Sequence, residues 1–145
     1  MRRSGFTLLE LIVVLAILAG IAALVAPSFS RTVASARLRA AASDIRSTFA
    51  RARALAVASS RERSAVFDLS RGEFGVDNEA ARFLPETIRL GAVLAGGDRR
   101  DQGEVRFRFF PDGGGDEAEI SVTARDGGGL RVTVDPLTGL SVAGL

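Results

Sequence analysis

The feature that most constrains this chain is the run from Phe6 to Ala26, apolar throughout except for Thr7 and Glu10. As a helix rising about 1.5 Å per residue it would be about 31 Å long, the thickness of the hydrocarbon core of a bilayer. A membrane-spanning helix over residues 6–26 is therefore the first expectation. A secretory signal peptide competes with it, because Arg2 and Arg3 supply a positive region ahead of the apolar one. Three features count against that alternative. The run is longer than the about 7 to 15 apolar residues of a signal peptide, and its end, Leu24-Val25-Ala26-Pro27, has no A-x-A cleavage pattern. Glu10 lies inside the run, where an ionised carboxylate costs about 2.5 kcal/mol or more at the bilayer centre, and such a group usually has a partner. The polar leader, residues 1–5, is short and ends in Gly5 directly before Phe6.

Composition narrows the function classes. A chain of 145 residues suits one domain plus an appendage, and its 47% hydrophobic content is enough for a modest core. It contains no Cys, His, Tyr, Trp or Lys. Disulfides, thiolate zinc sites, the usual general base near neutral pH, the Schiff-base amine and the phosphate-loop lysine are all excluded together. The runs Gly113-Gly114-Gly115 and Gly127-Gly128-Gly129 lack the strand-loop-helix setting of a phosphate cradle and read as hairpin turns. Asp112, Asp116 and Glu117 offer oxygen ligands for calcium, without EF-hand spacing. Glu117 and Glu119 share a strand face, with no polar pocket in prospect to shift either one. The expectation is a protein that is not an enzyme and holds no cofactor and no metal.

The net charge is only +2, and every basic residue is Arg, which alone raises the pI to about 10.7. Arg31, Arg37, Arg39, Arg46, Arg51 and Arg53 crowd one segment, where Leu38, Ala41, Ala42, Ile45, Phe49, Ala52, Leu55 and Ala56 recur at helical steps. An amphipathic helix over 28–59 follows, its arginines on a solvated face or a filament groove. Gly20 and Pro27 weaken the continuous helix 6–59, as a break or as no more than a packing glycine and a kink.

From Ser60 onward the period changes to alternation. Ala65 to Leu69 and Glu73 to Val76 flank a turn at Ser70-Arg71-Gly72, and Thr87 to Val93 makes a further strand before an exposed connection reaching Gly103. Glu104 to Phe110, Ala118 to Arg125, Leu130 to Asp135 and Leu140 to Ala143 read as half-buried antiparallel strands. The fold class is α+β: a long N-terminal helix, then a small antiparallel β-sheet domain over 60–145.

Gly5-Phe6-Thr7-Leu8-Leu9-Glu10 resembles the leader junction of type IV prepilins and type II secretion pseudopilins. The resemblance implies cleavage between Gly5 and Phe6 by a prepilin peptidase, methylation of the new Phe6 amine, and a helix that stays with the mature protein. It also implies that Glu10 meets the N-terminal amine of a neighbouring subunit, the alternative being a carboxylate that snorkels to the headgroups. Positions similar to Gly20 and Pro27 bound a locally melted segment in pilin-like filaments. The second half resembles the GspH/FimT family of minor pseudopilins and pilins. There a phenylalanine-rich strand runs into Pro111-Asp112-Gly113, and a later turn, Asp135-Pro136-Leu137-Thr138-Gly139, precedes the last strand. Gly113 to Asp116 departs from the Ser/Gly-rich continuation of that family.

These resemblances imply a minor pseudopilin of a type II secretion system, in the inner membrane by a single pass with its C-terminal domain in the periplasm. The implied partners are the prepilin peptidase, other major and minor pseudopilins, the inner-membrane assembly platform, and lipid around 6–26. Orientation rests on the leader, because Arg31, Arg37 and Arg39 outnumber Arg2 and Arg3 and oppose a plain positive-inside count. The alternative is a FimT-like minor pilin that binds DNA through arginine contacts to phosphates. Thr138 to Leu145 contains no Arg where DNA-binding relatives would carry an Arg-bearing tail.

Overall fold

The computed structural model describes residues 7–125 and 127–144, and the side chains of all of these except 23–31. Helix α1 (Leu8–Ser59) opens on Thr7. The Glu10 N–H donates to Thr7 Oγ1 at 3.3 Å, and the Leu11 N–H donates to the Thr7 carbonyl at 3.2 Å. Thr7 is thus the N-cap and Glu10 the third helical residue, the T-x-x-E spacing of a capping box, with an acid at the positive end of the helix dipole. At the other end Ser60 turns into the left-handed region at φ 51, and the Arg61 N–H closes on the Ala56 carbonyl at 3.3 Å.

The helix break expected at Gly20 and Pro27 is not present, for α1 runs through both. A glycine costs a helix about 1 kcal/mol and a proline about 3 kcal/mol. Neither has a second breaker beside it, and the long flanks of Leu, Ile and Ala carry the helix on. A Cβ at Gly20 would meet nothing within 4 Å, so no close packing within the chain requires glycine there. Among the described residues no helix is long and apolar enough to cross a membrane. The described side chains of 7–22 cover about 24 Å of helix, short of a core of about 30 Å. Phe6 and the side chains of 23–26, the ends of the expected span, lie outside the described residues.

The chain divides into two compact units, and the boundary falls between Ser35 and Ala36, inside α1, rather than at the expected change near Ser59. In the first unit every described side chain from Thr7 to Ala22 is exposed. In the second, Leu38, Ala41, Ala42, Ile45, Phe49, Ala52 and Ala56 form a buried stripe, so this part of the helix belongs to the β domain's core.

The strands are β1 (Arg63–Asp68), β2 (Glu73–Val76), β3 (Arg82–Phe83), β4 (Ile88–Val93), β5 (Arg99–Arg100), β6 (Glu104–Phe109), β7 (Ala118–Ala124), β8 (Gly129–Val134) and β9 (Ser141–Gly144). They form two antiparallel sheets, ordered β3-β2-β1-β6 and β5-β4-β7-β8-β9. The antiparallel β domain is as expected; alternation identifies each strand's buried face and not its neighbours, so the division into two sheets becomes visible only in the structure. Two pairings were unforeseen, β3 on β2 and β5 on β4, the latter inside the stretch expected to be an exposed connection. Phe49 joins helix to sheet, its ring centroid 5.2 Å from Phe67, 5.8 Å from Phe107 and 6.0 Å from Phe109. Ile120, Val122, Val132 and Val134 of the second sheet share the same core.

Candidate functional site

The residues picked out as turn motifs converge on one helical side chain. Arg53 lies four residues after Phe49, on the helix face that meets the sheets, and its Nε donates to the Gly113 carbonyl at 2.9 Å. The turn it holds is built by its own residues. The Gly113 N–H donates to the Phe110 carbonyl at 2.9 Å, and Asp112 Oδ1 accepts from the Gly114 N–H at 2.9 Å. Gly113 takes φ 89, a conformation that side-chain-bearing residues rarely adopt.

The second turn is organised by Asp135. Its Oδ1 accepts from the Leu137 N–H and the Thr138 N–H, each at 2.9 Å, and from Thr138 Oγ1 at 3.1 Å. These bonds, the Thr138 N–H foremost and the Thr138 hydroxyl next, hold the Asp135 carboxyl below the usual range, with desolvation opposing them. The Gly139 N–H donates to the Asp135 carbonyl at 2.8 Å. The two turns touch: the Gly115 N–H donates to the Pro136 carbonyl at 3.0 Å, and a Cβ on Gly139 would collide with the Gly113 carbonyl oxygen and lie 2.8 Å from Arg53 Cδ. Pro111, Asp112, Gly113, Thr138 and Gly139 therefore belong to one docked pair of turns pinned to α1.

Of the acidic residues weighed as cation ligands, Asp112 and Asp116 are engaged by the protein itself, Asp112 by the Gly114 N–H. Asp116 accepts from Arg108 Nε at 3.0 Å, Nη2 at 3.1 Å and the backbone N–H at 3.0 Å. Burial pushes the Asp116 carboxyl up, and the hydrogen bonds and charge of Arg108 outweigh that and hold it below its ordinary value. Among the described residues no three Asp or Glu side chains come together as a metal cluster.

Seven ion pairs among the described residues involve Arg51, Arg71, Arg82, Arg100, Arg106, Arg108 and Arg131. Exposed pairs of this kind stabilise little, yet they reduce the cationic surface on which the DNA-binding alternative depends. Two of them, Arg51 with Glu79 and Arg82 with Asp44, tie α1 to the segment around β3, and Arg51, Glu79 and Arg82 line an open groove of about 540 Å³.

Gly5 and Phe6, the expected processing site, lie outside the described residues, as does the Pro27 side chain. Glu10 is exposed in the first turn of α1 and Gly20 is exposed farther along it. Sequence reasoning missed Thr7 and Arg53. Thr7 carried a legible signal, since Thr-x-x-Glu before an apolar run is a capping-box signature. Arg53 carried a weaker one, its four-residue spacing from Phe49.

Comparison with known proteins adds three findings. Residues 1–26 match the prokaryotic N-terminal methylation motif. Residues 41–138, more than half of the chain, match the family described as type II transport protein GspH. Among solved structures, the fold is similar to that of the minor pseudopilin EPSH from the type II secretion system of Vibrio cholerae, with a TM-score of 0.61 at 14% identity, covering 74% of this chain and 92% of that one. Comparison with curated protein sequences gives no match. The Pro111 turn falls inside the family match, which ends on Thr138 of the second turn.

Proposed function

Because the chain belongs to the type II transport protein GspH family, we propose that it is a minor pseudopilin that assembles into a short filament and supports export of proteins across the outer membrane. The observation that carries this reading is that one chain holds a methylation motif at 1–26 and a GspH body at 41–138. On this reading a prepilin peptidase removes residues 1–5 at the Gly5–Phe6 junction and the Phe6 amine is methylated. The apolar stretch, which continues in sequence to Ala26, anchors the mature chain in the inner membrane, and the β domain lies in the periplasm. No chemistry is asked of the β domain; it offers surfaces to other major and minor pseudopilins, and the inner-membrane assembly platform adds subunits from below.

Glu10 then has a physical role at assembly. A carboxylate and an ammonium attract far more strongly in apolar surroundings than in water, and either alone there is penalised. The pair formed by Glu10 with the Phe6 amine of a neighbour sets subunit register. The test has two arms. Co-expression with a prepilin peptidase, followed by intact-mass measurement, is expected to give a chain that begins at Phe6 and carries one added methyl group. Removal of the chain from its host is expected to strand exported proteins in the periplasm. A mature protein that keeps residues 1–5, or undiminished export without it, overturns the proposal.

A further inference from the structure

We propose that the outer edge of β9 is a docking site for an extended acidic peptide segment of a partner protein, which adds to the sheet as a further strand and places a carboxylate against Arg46. The inference does not rest on the filament reading, since such a segment would bind whether or not the chain assembles.

The sheet edges are not alike. An exposed edge strand is a template for pairing, and proteins blunt edges by keeping them short, charging them or covering them. The edge strand β3 has two residues, one of them Arg82, which is tied to Asp44. The edge strand β5 is Arg99–Arg100, two residues and both charged. The outer side of β6 is covered at its Arg108–Phe109 end by the turn that follows it, through the bridge of Phe109 with Gly115 and the Asp116 N–H bond to the Arg108 carbonyl at 2.8 Å, and its other end carries the charged pair Glu104 and Arg106. Only β9 lacks such protection among the described residues: its sequence Ser-Val-Ala-Gly has four residues, no charge and no proline.

Register says which groups are on offer. The Asp135 N–H donates to the Leu140 carbonyl at 2.9 Å, and Thr133 pairs with Val142. Hydrogen-bonded pairs alternate in an antiparallel ladder, so Val142 and Gly144 bond toward β8 while Ser141 and Ala143 turn their N–H and C=O groups outward. On the far side of β8 the Ala124 N–H bond to the Gly128 carbonyl sets a phase consistent with this assignment. Among the described residues no backbone group pairs with those of Ser141 and Ala143.

Beside this edge runs a groove of about 390 Å³ between Leu140 and Ser141 on one side and Ser43, Arg46, Ser47 and Ala50 of α1 on the other. A strand added about 4.8 Å from β9 sends alternate side chains into that groove. The small side chains of Ser43, Ser47 and Ala50 leave room for them. The charge there is positive: Arg46 has no ion-pair partner among the described residues, and the nearby acid, Asp44, is held by Arg82. The remaining alternate side chains of the peptide lie over Leu140 and Val142, which are 60% and 64% exposed. An alternating acidic and apolar segment is the complement of this surface.

The test uses the full chain in detergent micelles and a fluorescein-labelled Glu-Val repeat peptide, followed by anisotropy. Binding is expected, together with slowed amide exchange at Ser141 and Ala143. Methylating alternate amides of the peptide is expected to weaken it about tenfold or more, as is Ala143→Pro, which removes an outward N–H and no ladder bond. Arg46→Glu is expected to lose the Glu-Val peptide and to prefer a Lys-Val repeat. No binding, equal binding of the methylated peptide, or an unchanged preference in Arg46→Glu overturns the proposal. So does concentration-dependent self-association of the chain that Ala143→Pro abolishes, which would make a second copy the occupant.

Discussion

Arg53 Nε donates to the Gly113 carbonyl at 2.9 Å across 60 residues of sequence, so one helical side chain fixes a turn and, through the bond from Gly115 to Pro136, the hairpin leading to β9. A charged donor on a partly buried carbonyl contributes about 1.5 to 3 kcal/mol. Arg53→Met keeps the aliphatic stem and removes the donor, and is expected to lower stability by about that amount in equilibrium urea unfolding. Arg106→Met, which removes only an exposed pair with Glu104, is the control and is expected to change little. Equal behaviour of the two variants would mean that the latch holds nothing.

The glycine on the other side of this contact is the more sensitive position. Gly139 has φ 62, and an added Cβ would collide with the Gly113 carbonyl oxygen and crowd Arg53 Cδ at 2.8 Å. Gly139→Ala therefore combines backbone strain with displacement of the Arg53 bond, and a loss of about 2 kcal/mol or more is expected. Gly144→Ala has open space on every side and no positive φ, so it should leave the melting temperature within error. A Gly139→Ala protein as stable as Gly144→Ala would show that the two turns are not docked.

The contrast between Arg53 and Phe49 shows what was legible in the sequence. Phe49 announces itself, since a large apolar residue on a three- and four-residue repeat has to be buried, and the alternating strands with their glycine turns are equally direct. Seven strands were found in this way. The two-residue strands β3 and β5 were not, because Arg82–Phe83 and Arg99–Arg100 are too short to carry a period and are strands only through their neighbours. The split into two sheets was hidden for the same reason: pairing depends on partners far away in sequence. Arg53 looked like the other arginines of its segment, and its carbonyl partner is visible only once the turns are placed. The turn motifs were legible as motifs, and that they meet was not.

Asp135 and Asp116 give the β domain an acid-sensitive component. The Thr138 N–H and hydroxyl and the Leu137 N–H hold Asp135 below its ordinary value; for Asp116, burial opposes and the Arg108 bonds prevail. A carboxyl depressed in the folded state adds stability that is complete above its unfolded value of about 3.9 and fades as pH falls through the folded value. The wild type should therefore exceed Asp135→Asn in urea midpoint at neutral pH, and the gap should narrow toward about pH 3 and below. A gap that stays constant over that range would assign the effect to geometry of the turn rather than to charge.

Glu10 has two physical roles that a single substitution confuses. Its N–H bonds Thr7 Oγ1 at 3.3 Å and its acid lies in the first turn of α1, so it belongs to the start of the helix; on the proposed reading its carboxylate also meets a neighbour's amine. Glu10→Ala keeps the backbone bond to Thr7 and removes the side chain, and with it both the acid in the first turn and the charge that would meet the amine. Glu10→Gln separates the two roles, because glutamine serves at the third position of a capping box and yet carries no charge to attract an ammonium. Both variants are expected to be cleaved and methylated as the wild type is, since neither alters the Gly5–Phe6 junction. In the fraction of subunits recovered in sheared filaments, Glu10→Gln is expected to fall to the level of Glu10→Ala, with a loss of about tenfold or more, as befits an ion pair in apolar surroundings. Wild-type incorporation of Glu10→Gln beside a failing Glu10→Ala would transfer the role from charge to capping. In that event Thr7→Ala should fail as well, which would make the start of the helix, and not the neighbouring amine, what assembly requires.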